Sequence, residues 1–542
     1  MKPNKNQVFL LVSFVIVFTV FGMFFRTPTY DDGIHSFTVQ NTINWQNPFY
    51  NNYEQVKHPF QRLQFGLIAL GYSFGFPISF IWPSILHGIM LILSTLLVYK
   101  ISKTYWGLEK RIFATWFYFY LIYTEYWISP TRPEIYLSTI LLTITYCFNQ
   151  IERINKQKMI IIVSMLIGCI GLTFHSNSWI LYIYLIIFTL SNRSLFTKRE
   201  IIFGFISIFF CSLVGLTIIF YPNPDETFRF LLNMSQEGGN RITFLKNEIQ
   251  RFRSLFITTP YKYLFFYFLF LSFIYLKKER CSYGKLIRTS YNKYNNIFIL
   301  GISVFIGLGF LPSARWGVYL TYYYLPITFI CTTIIYDTLI EKNERYFIIV
   351  PVLFLASLYV LRNFNEIDNY HLIKFCYFYI PLIILSFSYK KLRIPIIYYI
   401  MILGLCFKSL EMYQRHVIFK EVKDYLNRYE NELFVTNVQF NWERKLVKGL
   451  VPIELNYQRS ITLDNGKALI GSKSSWVRVI LTGKDCDFKP LYKIKSSSTK
   501  YFITPFLQDL IIYKYSCDNN NFDPIGGELS LKEYIEEQLN QD

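Results

Sequence analysis

Charge is scarce in this chain. Charged residues make up 17% of 542, where a soluble globular chain carries about 25%. That shortage, with 52% hydrophobic residues, argues against an ordinary water-soluble enzyme. Histidine is also rare, with 6 residues, and the 9 cysteines form no CxxC pair. No metal ligand set follows from that spacing. The chain has neither a phosphate-binding P-loop nor a GxGxxG turn, so nothing in it reads as a nucleotide site. No internal repeat is visible. That weighs against a transporter or flippase of lipid-linked saccharides, because such folds are commonly built from repeats.

What the chain has in abundance is long apolar runs and aromatic side chains, 44 Tyr and 53 Phe among them. A bilayer core is crossed by about 20 apolar residues in helical form. Thirteen candidate spans are expected, at 8–25, 78–99, 112–126, 135–148, 159–174, 178–190, 201–220, 261–276, 297–311, 318–336, 346–361, 372–388 and 394–410. The first run is long for a signal peptide and lacks a small-residue cleavage pattern before Arg26, so it reads as a retained span. A half-apolar piece at 61–76 reads as an interfacial helix. The fold expected is an all-α polytopic membrane protein in residues 1–410. A small extracytoplasmic α/β or β-rich domain is expected in 411–542.

The net charge of +19 is distributed as topology demands. Residues 411–542 hold 18 basic and 18 acidic residues, so the whole excess lies in the first 410. There the basic residues punctuate apolar spans, which excludes nucleic acid as the partner and points to the lipid bilayer. With the N-terminus cytoplasmic, the inside loops carry 23 Lys and Arg. The outside loops, longer in total, carry 11. The expected protein therefore sits in the plasma (inner) membrane with residues 411–542 outside. In that polar tail, "ELFVTNVQF", "SWVRVILTG", "KYFITPF" and "DLIIYKY" read as strands, and 415–430 and 530–541 as helices. Cys486 and Cys517 are the two cysteines of this tail and can pair if it lies outside.

This orientation collects four polar clusters on the outer side: "YDDGIHS" after the first span, "SPTRPEIY" at 129–136, "TFHSNSW" at 173–179 and "LPSARWGVY" at 311–319. They bring carboxylates (Asp31, Asp32, Glu134), cations (Arg132, Arg315) and neutral donors (His175, Asn177) to one face. Ionisable groups beside the membrane are costly unless paired or functional. A carboxylate there can act as general base on a hydroxyl, and Arg holds phosphate through paired hydrogen bonds. Aromatic walls suit sugar rings and a polyprene tail. The combination suits sugar transfer from a lipid-phosphate donor. Arg132 and Glu134 can equally pair with each other, and Asp31–Asp32 can be a helix cap or a solvated turn.

The sequence resembles the multi-spanning, lipid-phosphate-sugar-dependent glycosyltransferases called GT-C. It is most similar to the actinobacterial arabinosyltransferases of the ethambutol-target type. "DDGIHSFTVQNTINW", "NNYEQVKHPFQRLQFGLIAL", "PTRPEIYL" and "LPSARWGVYL" carry that resemblance over residues 8–336, in the family's order. Three departures stand out. Gly317 and Val318 follow Trp316 where the family has a His pair. Lys57 and His58 precede Pro59 where it has an acidic residue. Arg315 stands for its Lys.

The resemblance implies an inverting glycosyltransferase acting on a polyprenyl-phosphate-linked sugar donor and a glycan or lipid acceptor of the cell envelope. Asp31 would be the general base and Asp32 its positioning partner. Glu134 would hold substrate hydroxyls or orient Arg132. Arg315, with Arg132, would bind the donor phosphate. His58, His175 and Trp316 would line the site. A divalent metal is left open. A polymerase or ligase of preassembled lipid-linked saccharide would use the same face.

Overall fold

The computed structural model of the chain describes residues 5–28, 32, 61–75, 80–124, 130–221, 224–225, 227–228, 283–309, 317–334, 336 and 390–427, and the backbone of seven strands between 434 and 517. Eleven α-helices of nine residues or more are described. They are α1 (Lys5–Phe25), α2 (Arg62–Ser73), α3 (Ile81–Ser102), α4 (Leu108–Tyr123), α5 (Glu134–Asn149), α6 (Lys156–Ser164), α7 (Trp179–Ser191), α8 (Lys198–Phe220), α9 (Tyr283–Gly309), α10 (Tyr324–Ile334) and α11 (Lys390–Asn427). The expected spans at 261–276, 346–361 and 372–388 lie outside the described residues, so the count of thirteen is neither met nor refused.

Four segments are long and apolar enough to cross a membrane: Val8–Phe25, Ile81–Ser102, Lys156–Phe174 and Lys198–Phe220. A helix of about 20 residues rises about 30 Å, the thickness of a hydrocarbon core. Shorter apolar helices cover Ser176–Ser191, Tyr294–Leu308 and Ile394–Leu410. The expected interfacial piece at 61–76 is helical as α2.

A helix that is apolar all round can sit at the centre of a bundle or face lipid, and packing decides which. α4 takes the centre. Every residue from Ile112 to Tyr123 is buried, although the run is rich in bulky rings. α8 takes the outside, exposing Phe205, Phe209 and Phe210. It docks on α6 where that helix widens into a π turn, Met165–Gly171. A Cβ on Gly215 would run into the Gly168 carbonyl, so these two glycines let the backbones touch.

At the opposite end of α5 from Glu134, polar side chains tie the bundle. Asn149 Oδ1 accepts from Tyr105 (2.9 Å) and from Asn296 Nδ2 (2.6 Å), and Trp106 Nε1 donates to the Tyr294 hydroxyl at 3.0 Å. Tyr294 itself leaves helical geometry (φ −122°, ψ 33°), which kinks α9 there.

The expected break between a span ending at 410 and a separate helix at 415–430 does not occur. α11 runs unbroken from Lys390 to Asn427, with Pro395 tolerated near its start. The seven strands, β1 (Phe434–Val435), β2 (Leu450–Val451), β3 (Ser460–Leu463), β4 (Gly466–Ser472), β5 (Val477–Leu481), β6 (Cys486–Ile494) and β7 (Leu510–Cys517), form two sheets, ordered β2-β1-β7-β6 and β3-β4-β5. Three of the four expected strand stretches contain a described strand. "KYFITPF" and the helix expected at 530–541 lie outside the described residues. In the antiparallel β6–β7 pair, Cys486 lies directly opposite Cys517.

Candidate active site

Four chain segments far apart in sequence meet at one end of the bundle, the end the loop charges assign to the outside. The first is the exit of α1. Arg26 follows its last turn, its N–H still bonded back to the Gly22 carbonyl at 3.2 Å. α1 lies close against α3, because a Cβ on Gly88 would overlap the Met23 side chain. That approach carries the Arg26 guanidinium to His87, with NH1 3.0 Å from Nδ1. Arginine has no acceptor, so Nδ1 accepts, and the neutral imidazole carries its proton on Nε2. His87 is buried, and its Nε2 has no hydrogen-bond partner.

Asp32 stands next to this pair and is completely buried. Its Oδ1 accepts two hydrogen bonds from Thr131, one from the backbone N–H (3.1 Å) and one from the hydroxyl (2.7 Å). A single threonine thus ties the loop after α1 to the loop before α5. Asp32 also attracts Arg26. Burial pulls the Arg26 guanidinium below its ordinary range, and the Asp32 carboxylate opposes that pull.

The segment "TRPE" is built by its proline. Pro133 precedes the first residue of α5, where its missing N–H goes unused and its fixed φ (here −79°) suits helix entry. Glu134 is then the first helical residue, with its carboxylate at the positive end of α5. Arg132 turns back onto it. Its NH2 lies 2.7 Å from Oε1, and its Nε lies 3.1 and 3.2 Å from the two oxygens. Of the two readings open from the sequence, mutual pairing is the one observed here. Glu134 is fully buried, while the Arg132 side chain keeps 20% of its surface exposed.

His175 follows the end of α6 in an extended conformation and caps the short turn before α7. Its Nδ1 accepts from the Asn177 N–H at 3.0 Å. Burial lowers its pKa to about 4. The nearby Glu134 carboxylate pushes the other way, and Arg132 adds to the lowering. The imidazole is therefore neutral at pH 7, with its proton on Nε2. The wall is completed by Tyr319 and Tyr322 of the 3-10 turn Gly317–Tyr323, whose rings stack at 6.5 Å. Tyr322 lies beside Glu134, Arg132 and Asn177. On the other side, Tyr136 stacks on Phe174 at 5.2 Å and lies beside Asp32 and Gln64. The Tyr136 hydroxyl and the Gln64 amide are buried beside each other, short of full hydrogen-bond geometry, and stand at the edge of the site.

The structure thus brings Asp32, Arg132, Glu134 and His175 together. Asp31, His58, Arg315 and Trp316 lie outside the described residues. Sequence reasoning missed Arg26, His87, Gln64, Thr131 and Tyr322. Two of these had a signal: His87 is the one Asp, Glu, Lys, Arg or His in the expected span 78–99, and Arg26 directly abuts the first span. Among the described residues, no three His, Cys, Asp or Glu side chains gather into a metal ligand set.

No family model matches the sequence, and no curated protein matches it. Among solved structures, the chain is similar in fold to the crystal structure of ArnT from Cupriavidus metallidurans bound to undecaprenyl phosphate. The TM-score is 0.59 at 11% sequence identity, over 83% of this chain and 86% of that one. At this identity the likeness is one of fold.

Proposed function

We propose that this chain is an integral-membrane glycosyltransferase of the GT-C type. It moves a sugar from a polyprenyl-phosphate donor to a glycan or lipid acceptor on the outer face of the membrane. The observation that carries the reading is the buried carboxylate Asp32 at the mouth of an apolar helical bundle. Thr131 holds it, and it lies in the field of the Arg26 guanidinium. The fold likeness to a protein whose structure holds undecaprenyl phosphate supports a lipid-phosphate donor. The arabinosyltransferase-like motifs support the same class without naming the sugar.

The chemistry is a single displacement. A carboxylate takes the proton from the acceptor hydroxyl, and the oxygen attacks the anomeric carbon. The bond from that carbon to the phosphate oxygen breaks, and the electron pair leaves with the lipid phosphate. One displacement inverts the anomeric configuration. Asp32 has Oδ1 occupied by two Thr131 donors, which suits a fixed positioning carboxylate. Proton abstraction then falls to Asp31. The Arg132–Glu134 pair and His175 form a rigid floor, with Glu134 presented at the α5 N-terminus. Tyr136, Gln64 and Tyr322 offer hydroxyl and amide groups suited to sugar hydroxyls.

The test is transfer from a polyprenyl-monophosphate sugar by the purified protein in lipid nanodiscs. Asp31→Asn is expected to lower kcat about a hundredfold or more, as loss of a general base does. Asp32→Asn is expected to lower it while leaving donor binding near the wild-type level. Full activity in Asp31→Asn would remove the base from its assigned role. A wild-type protein that uses only a lipid-diphosphate oligosaccharide would turn the reading to a polymerase or ligase.

A further inference from the structure

Four cationic or imidazole groups, Arg26, His87, Arg132 and His175, surround the site among the described residues, and they are not equivalent. Arg132 is already engaged by Glu134 through three short contacts. His175 is neutral and spends Nδ1 on a backbone N–H. Arg26 is different. Among the described residues its guanidinium has one side-chain hydrogen bond, to His87 Nδ1, and a guanidinium carries several further N–H donors in a planar fork. It is partly accessible at its surface yet lies deep among neighbouring atoms. It also sits at the end of α1, where a lipid tail lying among the spans would bring its headgroup.

An in-line displacement sets a second constraint. The base and the leaving phosphate lie on opposite sides of the anomeric carbon. The group that holds the phosphate must therefore face the carboxylates across a gap. Among the described residues the Arg26 guanidinium is bonded to His87 and lies in the field of Asp32. Arg132 is bound to a carboxylate of its own, Glu134.

We propose that Arg26 is the guanidinium that holds the phosphate of the lipid donor, and that His87 is its positioning residue. This rests on the glycosyltransferase reading above. His87 Nδ1 fixes one arm of the guanidinium, and the close α1–α3 approach at Gly88 fixes the distance between the two side chains. The remaining N–H groups are left to a phosphate, whose charge the guanidinium neutralises as the anomeric bond breaks. α1 thereby serves as a donor-binding helix as well as an anchor.

The experiment measures binding of three probes to the full chain in nanodiscs: a long-chain polyprenyl monophosphate, the polyprenol of equal length, and inorganic phosphate. Wild type is expected to prefer the polyprenyl monophosphate over the polyprenol. Arg26→Gln should weaken monophosphate binding about tenfold to a hundredfold, the scale of charge-assisted hydrogen bonds, and leave polyprenol binding unchanged. Arg26→Lys, which keeps the charge and loses the fork, should fall between. His87→Ala should give a smaller loss that His87→Gln, with its own acceptor oxygen, recovers. In the transfer assay the donor KM should rise more than kcat falls.

Wild-type binding by both Arg26 variants would overturn the assignment while leaving the glycosyltransferase reading standing. A wild-type protein that cannot tell the monophosphate from the polyprenol would overturn both. If the Arg26 variants do not fold, dicarbonyl modification of wild-type Arg26 decides. The lipid monophosphate should slow it and the polyprenol should not, and equal rates with both would overturn the assignment. Protection by inorganic phosphate at the same concentration would assign the site to free phosphate and overturn the lipid-donor role.

Discussion

Arg132→Gln should destabilise this protein more than Glu134→Gln, although the two residues share the same contacts. Removing Arg132 leaves a carboxylate with no exposed surface and takes away its partner's three N–H contacts. Loss of one partner from a buried pair costs about 3–5 kcal/mol. The α5 N-terminus offsets about 0.5–1 kcal/mol of that, because Glu134 sits in its first turn. About 3 kcal/mol remains. Removing Glu134 leaves a guanidinium with 20% of its surface already exposed, so it can turn toward solvent at a cost of about 1 kcal/mol. The double variant leaves two neutral amides and should lie near the milder single, which gives a coupling of about 2–3 kcal/mol. Thermal unfolding in one detergent, followed by tryptophan fluorescence, ranks the four proteins. If the two single shifts simply add in the double variant, the pair contributes nothing as a pair. If Glu134→Gln is the more damaging, the burial argument is wrong.

The remaining expectations concern other parts of the molecule. His175 is held near pKa 4 in the folded chain against about 6.5 when unfolded, so the unfolded chain binds a proton that the folded chain refuses as pH falls through that window. Stability is lost on acidification at about 1.4 kcal/mol per pH unit, reaching about 3 kcal/mol by pH 4. A His175→Asn variant should show a shallower decline between pH 6.5 and 4, and an unchanged slope would refute this. Gly215→Leu should push α8 off the π turn of α6 and lower the unfolding temperature, whereas Gly204→Leu, whose Cβ meets only the Ile160 side chain at 3.8 Å, should be tolerated. Cys486 and Cys517 are register partners across β6 and β7, the backbone pairing a cross-strand disulfide would use. Protein purified under non-reducing conditions should yield the linked peptides on mass mapping. Two free thiols in membrane-extracted protein would count against an outward-facing tail.

Much of the architecture was legible from composition. Apolar runs near 20 residues, interrupted by basic loops, can be satisfied only by membrane-spanning helices, because backbone groups in lipid must bond within their own segment. The helices at Lys5–Phe25, Ile81–Ser102, Trp179–Ser191 and Lys198–Phe220 each overlap an expected span within a few residues. The boundary between the last span and the following helix was not legible. The polar stretch after residue 410 reads as a break, yet α11 continues through it, and residues 411–427 hold neither proline nor glycine to stop it. The site was half legible. Asp32, Arg132, Glu134 and His175 stood out because charge beside a membrane is rare. Gln64 and Tyr136 did not, because an amide or a tyrosine in an apolar stretch is ordinary until the fold buries it beside a carboxylate such as Asp32.

The sequence by itself determined that the chain is apolar enough to span a bilayer repeatedly and that its carboxylates and guanidinium groups cluster at span ends. Local hydrophobicity and charge suffice for that, because they depend on neighbours along the chain. Only the tertiary structure decided which cation answers which carboxylate. Glu134 took Arg132, two residues away, and left Arg26, which the α1–α3 approach delivers to His87 and into the field of Asp32. Those partners lie up to 99 residues apart in sequence, as Asp32 and Thr131 do. Helix packing sets such distances, and no local pattern records them.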